Sequence, residues 1–402
     1  MADVHVKLAP AGDHIRAGRF DQALTLLQRL NQQHPGQPAV LGMLIEASAR
    51  AGRKEQAAYH AQAARRLVAG RKDDLLELGN MLSALGLIDE AIATYEAALA
   101  IDPAFTAASV GLSACHFRAY RLSDVVATCR RALENDPEHS RLRCNLGVAL
   151  VQGGRAREAV RILSEVARDN PGDAVVASAL AASTNYAGDV TPEESMAAHA
   201  AYGALLERRA PTPPRPRPTD PDPDRRLRVG IVSADLRAHP CGTFIEPWLA
   251  RHTRDRFEIL CYSVAPVEDA ASARLRGHVG AWRAVARLPA EALAQQIRQD
   301  KIDIVLELSG HTAGHRLSAL HLRPAPVQVT YFGYPNTTGV RAIDARLVDS
   351  ITDPAGSEGL ATERLVRLDP CFLCFPPPLG EGVPGPGPLP AKRAGTITFG
   401  SF

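Results

Sequence analysis

The chain has 402 residues, of which 46% are hydrophobic and 22% charged, and its formal net charge is +2. This composition is typical of globular domains, and a charge so close to neutral does not favour binding to nucleic acid or to an anionic membrane. At roughly 100–200 residues per domain, the length predicts two or three domains. No apolar run reaches the length of a membrane span or a signal peptide. The seven cysteines are scattered without a disulfide framework, so we expect reduced thiols in a cytoplasmic protein.

The first half of the chain repeats with a period of 34 residues. Alanine occupies four of five equivalent positions and proline follows twelve residues later in four of five repeats: Ala23, Ala57, Ala91 and Ala159, then Pro35, Pro103, Pro137 and Pro171. Small residues suit close helix crossings, and a proline after the second helix of a pair prevents its continuation. We predict about five helical hairpins between residues 2 and 175, which resemble tetratricopeptide repeats. Two more helices, over 177–187 and 192–209, would close an array whose concave groove binds protein or peptide partners.

Seven prolines in thirteen residues, from Pro211 to Pro223, predict a break between domains. We therefore expect a repeat domain over 1–209 and a Pro-rich linker over 210–226. Beyond it, strands are predicted over 228–233, 257–264, 302–308 and 326–332, and helices over 243–252, 268–278, 290–300 and 314–322. This alternation predicts a Rossmann-like lobe with a parallel sheet over 227–375, although no GxGxxG follows the first strand.

Three loops rich in glycine and hydroxyl side chains follow predicted strand ends. They span 233–242, 309–314 and 333–339, and the first carries Asp235 and His239. Open α/β sheets bind ligands at the carboxyl ends of their strands. Glycines there let backbone N–H groups approach a phosphate or a sugar closely. The alternative is that these glycines serve ordinary turns with positive φ.

Two further motifs contain residue types that bind zinc, but neither has the full ligand pattern of a zinc site. Cys371 and Cys374 form a CxxC, but a zinc site would need a second pair of ligands, so we interpret the motif as structural. His311 and His315 form HTAGH, which lacks the glutamate of a zinc protease and contains Gly314 where a helix would have to continue. We expect no metal and no cofactor.

Four stretches resemble the O-linked N-acetylglucosaminyltransferases, and in particular their bacterial members. They read LRVGIVSADLRAHPCG, LELSGHTAG, LRPAPVQVTYFGYPNTTG and ATERLVRL, and they follow repeats as in that family. The resemblance implies the first half of a two-lobed GT-B glycosyltransferase, metal-independent and inverting. Such an enzyme moves N-acetylglucosamine, or a related hexose, from a UDP-sugar donor to Ser or Thr of protein substrates.

The resemblance also implies roles for individual residues. His239 matches the active-site histidine of the family, and Asp235 the aspartate four residues before it; either is a candidate base. Gly333 matches a position next to the donor sugar, and His311 falls where animal members carry tyrosine. Thr312, Tyr334 and Pro335 complete the expected substrate-binding set. Ala238 and Cys241 depart from an asparagine and a threonine of animal members.

A second Pro/Gly stretch begins at Pro376, so 376–402 is expected to be an inter-lobe linker and the start of a C-terminal lobe. The resemblance places nucleotide binding on that lobe, and we expect this chain to lack most of it and to be inactive alone. The alternative is a non-catalytic repeat scaffold that binds peptides or partner proteins.

Overall fold

The computed structural model describes residues 2–218, 220, 222, 224–265, 267–375 and 387–397. Two compact units divide the chain between Leu205 and Leu206. The expected linker and lobe start at 376–402 lie outside the described residues except at 387–397. None of the helices in these ranges combines the length and apolarity that a membrane span requires.

The first unit is built from helices that follow one another in pairs. They are α1 (Ala2–Arg16), α2 (Phe20–Gln33), α3 (Pro38–Arg50), α4 (Lys54–Leu67), α5 (Lys72–Ala84), α6 (Ile88–Ile101), α7 (Thr106–Arg118), α8 (Leu122–Asn135), α9 (Ser140–Gln152), α10 (Ala156–Asp169), α11 (Ala174–Thr184) and α12 (Pro192–Arg209), the last of which continues into the second unit. The predicted repeats and the two closing helices are confirmed. The periodic prolines fall two residues after α2, α6, α8 and α10, where proline ends a helix.

Small residues hold the paired helices close together. Ala57 and Ala91, both on the 34-residue period, are fully buried. At Gly79 of α5, an added Cβ would lie only 2.6 Å from the ring of Tyr95 on α6. The Tyr95 hydroxyl donates a 2.7 Å hydrogen bond to Asn80 Oδ1, which satisfies its one polar group. Ala57, Ala91 and Gly79 are therefore sites of close packing, as the sequence predicts for the two alanines.

The turns inside the helical pairs share a left-handed residue, usually glycine. Gly52 and Gly86 have φ of 74° and 80°, and the equivalent residue two repeats on, Gly154, has φ of 75°. Tyr120 occupies the same slot between α7 and α8 with φ of 56°, and its side chain is 82% exposed. A tyrosine there carries backbone strain that glycine avoids.

The second unit contains a seven-stranded parallel sheet. Its strands are β1 (Leu227–Ser233), β2 (Phe257–Ser263), β3 (Ala281–Ala284), β4 (Ile304–Glu307), β5 (Val327–Thr330), β6 (Ala345–Val348) and β7 (Arg364–Arg367), in the order β3-β2-β1-β4-β5-β6-β7. The four predicted strands are confirmed as β1, β2, β4 and β5. The three additional strands are four residues long and include both edges of the sheet.

Helices α13 (Pro240–Arg251), α14 (Ala270–Arg276), α15 (Ala290–Gln299) and α16 (Leu317–His321) connect the first five strands, and α17 (Pro390–Ala394) comes last. An apolar cluster joins Ile231 and Ile259 of the central strands to Ile245 and Leu249 of α13. The sheet is thus anchored to the helix that begins immediately after His239.

The described part of the Pro-rich segment is attached to the second unit. The Arg225 guanidinium donates to both carboxylate oxygens of Asp303, at 2.6 and 2.7 Å. Farther upstream, Arg215 pairs with Asp344, with 2.5 Å between Nη2 and Oδ1. The Ala210 carbonyl accepts a 2.7 Å hydrogen bond from His321 Nε2. The described residues of the Pro-rich segment therefore lie against the second unit.

Candidate active site at the carboxyl edge of the sheet

The strand order creates a crevice between the loops that follow β1 and β4. These two strands are neighbours in the sheet, whereas their onward connections lead to opposite sides, to β2 and to β5. Ligands of open α/β sheets bind at such a topological switch point. The first two of the predicted loops, with Asp235 and His239 in one and His311 in the other, meet at this point.

The β1 loop holds Asp235 just beyond the strand end. Its backbone N–H donates a 3.0 Å hydrogen bond to Ser233 Oγ, and the residue is 8% exposed. Arg237 Nη2 lies 3.4 Å from Asp235 Oδ1, and His239 Nε2 lies 3.8 Å from the same oxygen. The carboxylate is thus nearly buried between two nitrogen donors, one within hydrogen-bond range and one just outside it.

His239 is the N-cap of α13. Its backbone is extended, and its Nδ1 accepts a 3.2 Å hydrogen bond from the Cys241 backbone N–H. A neutral imidazole whose Nδ1 accepts must carry its proton on Nε2, and we assign the tautomer from this hydrogen bond. In this arrangement, Nε2 is a hydrogen-bond donor on the side that faces Asp235. Sequence reasoning predicted a base at this position but not the capping role.

A turn and a second helix fix the β1 loop. At Gly242 an added Cβ would overlap the Arg237 carbonyl oxygen, so only glycine allows the chain to turn this tightly. Asp269 Oδ2 accepts a 2.9 Å hydrogen bond from the Ala238 backbone N–H, while its other oxygen caps α14 through Ser272. These backbone hydrogen bonds lower the pKa of Asp269. This contact joins residues 31 positions apart and could not be predicted from the sequence.

Glu307, the last residue of β4, organises the second loop. It is 1% exposed and accepts hydrogen bonds from the backbone N–H groups of Ser309 and Gly310, at 2.6 and 2.8 Å. Thr330 Oγ1 of β5 donates a third at 2.9 Å. Burial raises the pKa of Glu307 to about 7, although the three donors favour its charged form.

Glu363 organises the third loop, as Glu307 organises the second, by accepting hydrogen bonds from it. It is 3% exposed, and it accepts hydrogen bonds from Thr337 Oγ1 at 2.5 Å and from the Thr338 backbone N–H at 2.8 Å. Two buried glutamates therefore hold the two glycine-rich loops. Neither was predicted as functional. For Glu307 the available signal was an acidic residue at the end of an apolar strand, whereas Glu363 directly precedes β7 and had no such signal.

The second and third loops interlock. An added Cβ at Gly333 would overlap the Leu308 carbonyl oxygen, and one at Gly310, where φ is 51°, would overlap the Tyr334 side chain. His311 Nε2 donates a 2.9 Å hydrogen bond to the Thr338 carbonyl. These glycines are therefore sites of close backbone approach, beyond the turn conformations that the sequence left open.

The predicted site residues fall into two groups. A cavity of about 710 Å³ opens beside His239, and Thr243, Phe244 and Phe375 contribute to its walls.

His311 and Tyr334 are buried in the interlocked loops, and Thr312 Oγ1 donates to the Ser309 carbonyl at 2.7 Å. Gly333 lies at the loop crossing, and Pro335 is exposed, with its carbonyl bound by Arg346. The structure thus brings Asp235 and His239 together, and the other five form the neighbouring loop pair.

Among the described residues, one group could hold a cation. Ligand atoms of Asp235, His239 and Cys241 all lie within 4.8 Å of one another. Burial raises the pKa of the Cys241 thiol to about 12, so the thiolate that a metal requires is disfavoured there. The expectation of a metal-free site stays a prediction.

Comparison with known proteins agrees with the two units. Residues 213–374 match the model of glycosyl transferase family 41, and tetratricopeptide repeat models match 14–67, 76–140 and 121–182. The probable UDP-N-acetylglucosamine–peptide N-acetylglucosaminyltransferase SPINDLY of Arabidopsis thaliana is 40% identical over 185 residues. That match covers 44% of this chain and 20% of SPINDLY. The UDP-N-acetylglucosamine–peptide N-acetylglucosaminyltransferase of Caenorhabditis elegans is 33% identical over 152 residues, which are 37% of this chain and 13% of that protein.

A solved structure of a Thermobaculum terrenum O-GlcNAc transferase mutant has a TM-score of 0.71 and 36% identity. The match covers 76% of this chain and 59% of that one. The similarity to the curated relatives therefore spans only a fifth of their length or less, whereas the structural match includes most of this chain. The chain is therefore similar to O-GlcNAc transferases: its tetratricopeptide repeats are followed by a segment that matches the model of glycosyl transferase family 41.

Proposed function

We propose that this chain is the repeat and first-lobe part of a protein glycosyltransferase. It would transfer N-acetylglucosamine, or a related hexose, from a UDP-sugar to Ser or Thr side chains of protein acceptors. The observation that carries the proposal is the pairing of Asp235 with His239 at the switch point of a family 41 lobe. A nearly buried carboxylate beside an imidazole N–H is suited to moving one proton at that place.

In this proposal, the acceptor oxygen forms a bond to the anomeric carbon of the sugar while the bond from that carbon to the UDP oxygen breaks. The hydroxyl proton passes to the Asp235 carboxylate. His239 donates from Nε2 and orients the acceptor oxygen or the carboxylate, because the cap on Nδ1 leaves Nε2 protonated. His239 could act as the base only after losing its hydrogen bond to the Cys241 N–H.

The interlocked loops would form the donor side of the site. Glu307 and Glu363 accept hydrogen bonds from several N–H and hydroxyl groups of the loops. These hydrogen bonds fix the backbone around Gly310 and Gly333. A fixed backbone without side chains at the crossing lets a sugar approach closely. The cationic groups for the diphosphate are expected on the second lobe that the resemblance implies.

The repeats would recruit the acceptor. Stacked helical hairpins present a continuous concave surface, and extended segments of protein bind such surfaces. We propose that this surface binds acceptor proteins, and that the lobe acts on their Ser and Thr residues.

The experiment is a transfer assay on the chain fused to the C-terminal lobe of a family member. The fusion is incubated with UDP-N-acetylglucosamine and Ser/Thr peptides, and the products are analysed by mass spectrometry. We expect peptides that have gained one N-acetylhexosamine, and no product from the chain without a second lobe. Peptide binding without transfer by the folded fusion would instead favour a non-catalytic scaffold.

A further inference from the structure

Two cysteines differ from the others in their exposure. Cys371 and Cys374 are exposed, whereas the other five are buried: Cys115, Cys129, Cys144, Cys241 and Cys261. The exposed pair forms the CxxC motif that follows β7. A reagent or a redox partner in solution can reach these two thiols, and burial shields the rest.

The backbone of the CxxC motif bends between its two cysteines. The chain bends at Phe372, and the Leu373 backbone N–H lies 3.4 Å from Cys371 Sγ, as a donor to the sulfur. This contact holds the first sulfur against the backbone of the turn. The pKa of Tyr331 is raised to about 12, first by burial and then by the charges of Cys374 and Cys371.

The motif is tied to the sheet on both sides of its backbone. The Tyr331 hydroxyl donates a hydrogen bond to the Phe372 carbonyl. The Phe372 backbone N–H donates to Asp349 Oδ2 at 3.1 Å. The turn is thus held at a fixed place next to the end of β5.

A chain of aromatic contacts leads from the motif to the candidate site. Phe375, one residue beyond Cys374, packs on Phe244 with 5.8 Å between ring centroids. Phe244 packs on Phe332 at 6.0 Å, directly before Gly333. Phe375, Phe244 and His239 line the same cavity. The residue directly after the motif is therefore part of the wall of that cavity.

We propose that Cys371 and Cys374 form a reversible intramolecular disulfide that shifts the Phe375 wall of the cavity beside His239. The oxidant is a low-molecular-weight disulfide. One cysteine thiolate attacks a sulfur of that disulfide, forms a mixed disulfide and releases one small thiol. The second cysteine thiolate then attacks the protein sulfur and releases the other small thiol. In total, the two cysteine thiols lose two protons and two electrons, and the small disulfide is reduced to two thiols.

The test uses the full chain equilibrated in glutathione buffers of increasing oxidised fraction, followed by acid quenching and alkylation. Mass spectrometry should find one protein disulfide, mapped to Cys371 and Cys374, that disappears in reduced buffer. Cys371→Ser and Cys374→Ser should each accumulate a mixed disulfide with glutathione at the remaining cysteine. Cys261→Ser is the matched control, because Cys261 is fully buried, and it should form the same disulfide as the wild type.

Hydrogen exchange then tests the effect on the cavity. Backbone exchange in the peptide that spans α13 should differ between the oxidised and reduced chains. It should be identical in both buffers for the Cys371→Ser/Cys374→Ser double variant. Absence of the intramolecular disulfide at every buffer ratio would overturn the proposal, and so would a disulfide that leaves exchange in α13 unchanged. The readouts are thiol chemistry and exchange, so they do not depend on the transferase activity.

Discussion

Gly333 and the Leu308 carbonyl are in such close contact that no side chain fits between them. A Cβ at Gly333 would overlap the Leu308 oxygen, which belongs to the backbone and cannot rotate away. This contact sets the distance between the loops after β4 and β5. The glycine of the FGYP stretch is therefore required by packing, whatever its proximity to a donor sugar.

Gly333→Ala should destabilise the second unit by about 3 kcal/mol, because overpacking against backbone forces both loops apart. The measurement is urea unfolding followed by tryptophan fluorescence, since Trp248 and Trp282, the two tryptophans of the chain, both lie in this unit. The control is Gly359→Ala, where an added Cβ meets nothing within 4 Å. Equal midpoints for the two variants would refute the close contact.

Tyr120→Gly should stabilise the repeats by about 1 kcal/mol, because it removes a side chain from a left-handed backbone position. The matched variant is Gly86→Ala in the equivalent turn, where φ is 80° and no neighbour obstructs a Cβ. It should destabilise by a similar amount through backbone strain alone. Thermal unfolding followed by far-UV circular dichroism measures both. Shifts in the same direction for the two variants would show that the turns are not equivalent.

The sequence predicts much of this architecture because its signals are periodic. Alanine, glycine and proline recur every 34 residues, and β1 and β2 are long apolar runs, so helices and central strands follow directly. Strands β3, β6 and β7 were missed because each carries arginine, which interrupts the apolar run that predicted β4 and β5 at the same length of four residues. These three strands are defined by their hydrogen bonds to neighbouring strands of the sheet, which the sequence pattern does not show.

The site is less predictable than the fold. Asp235 and His239 are four residues apart in one loop, so their proximity follows from the sequence. The buried roles of Glu307 and Glu363 do not, because their partners lie up to 26 residues away on other loops. The capping role of His239 depends on which ring nitrogen faces the helix, and the sequence contains no signal for ring orientation. The substrate-binding roles of His311, Thr312, Tyr334 and Pro335 stay predictions.

Glu307 should make the second unit less stable as pH rises. Its pKa is raised from 4.5 to about 7 in the folded chain, so between these values the folded state holds a proton that the unfolded state has lost. The stabilisation is complete below pH 4.5 and is lost as pH rises through 7, by on the order of 3 kcal/mol. Urea unfolding by tryptophan fluorescence from pH 5 to 8 should show this fall.

Glu307→Gln is the control for that pH series, because the amide keeps the shape and does not titrate. Its curve should be flatter than that of the wild type over the same pH range. Parallel curves would mean that the carboxylate stays charged, held by its three hydrogen-bond donors.

Variants of His239 distinguish its role as the N-cap of α13 from its proposed role in sugar transfer. His239→Ala removes the cap of α13 and should cost about 1 kcal/mol of stability, whereas asparagine also caps well and should restore it. In the fusion with a second lobe, both variants should lower kcat by roughly 10²–10⁴, because neither provides the imidazole N–H. Unfolding curves and steady-state kinetics measured together decide this. Full recovery of kcat with asparagine would reduce His239 to a structural cap.

Asp235→Asn in the two-lobed fusion is the most direct test of proton transfer at the end of β1. Asparagine keeps the shape of the side chain and removes the proton acceptor. The matched control is Asp255→Asn, an exposed aspartate just before β2, at the opposite edge of the sheet. We predict that Asp235→Asn lowers kcat for sugar transfer by roughly 10²–10⁴ while unfolding stays unchanged, and that Asp255→Asn stays at the wild-type rate. A rate for Asp235→Asn within about threefold of the wild type, well below the acid–base range, would contradict proton transfer at the end of β1.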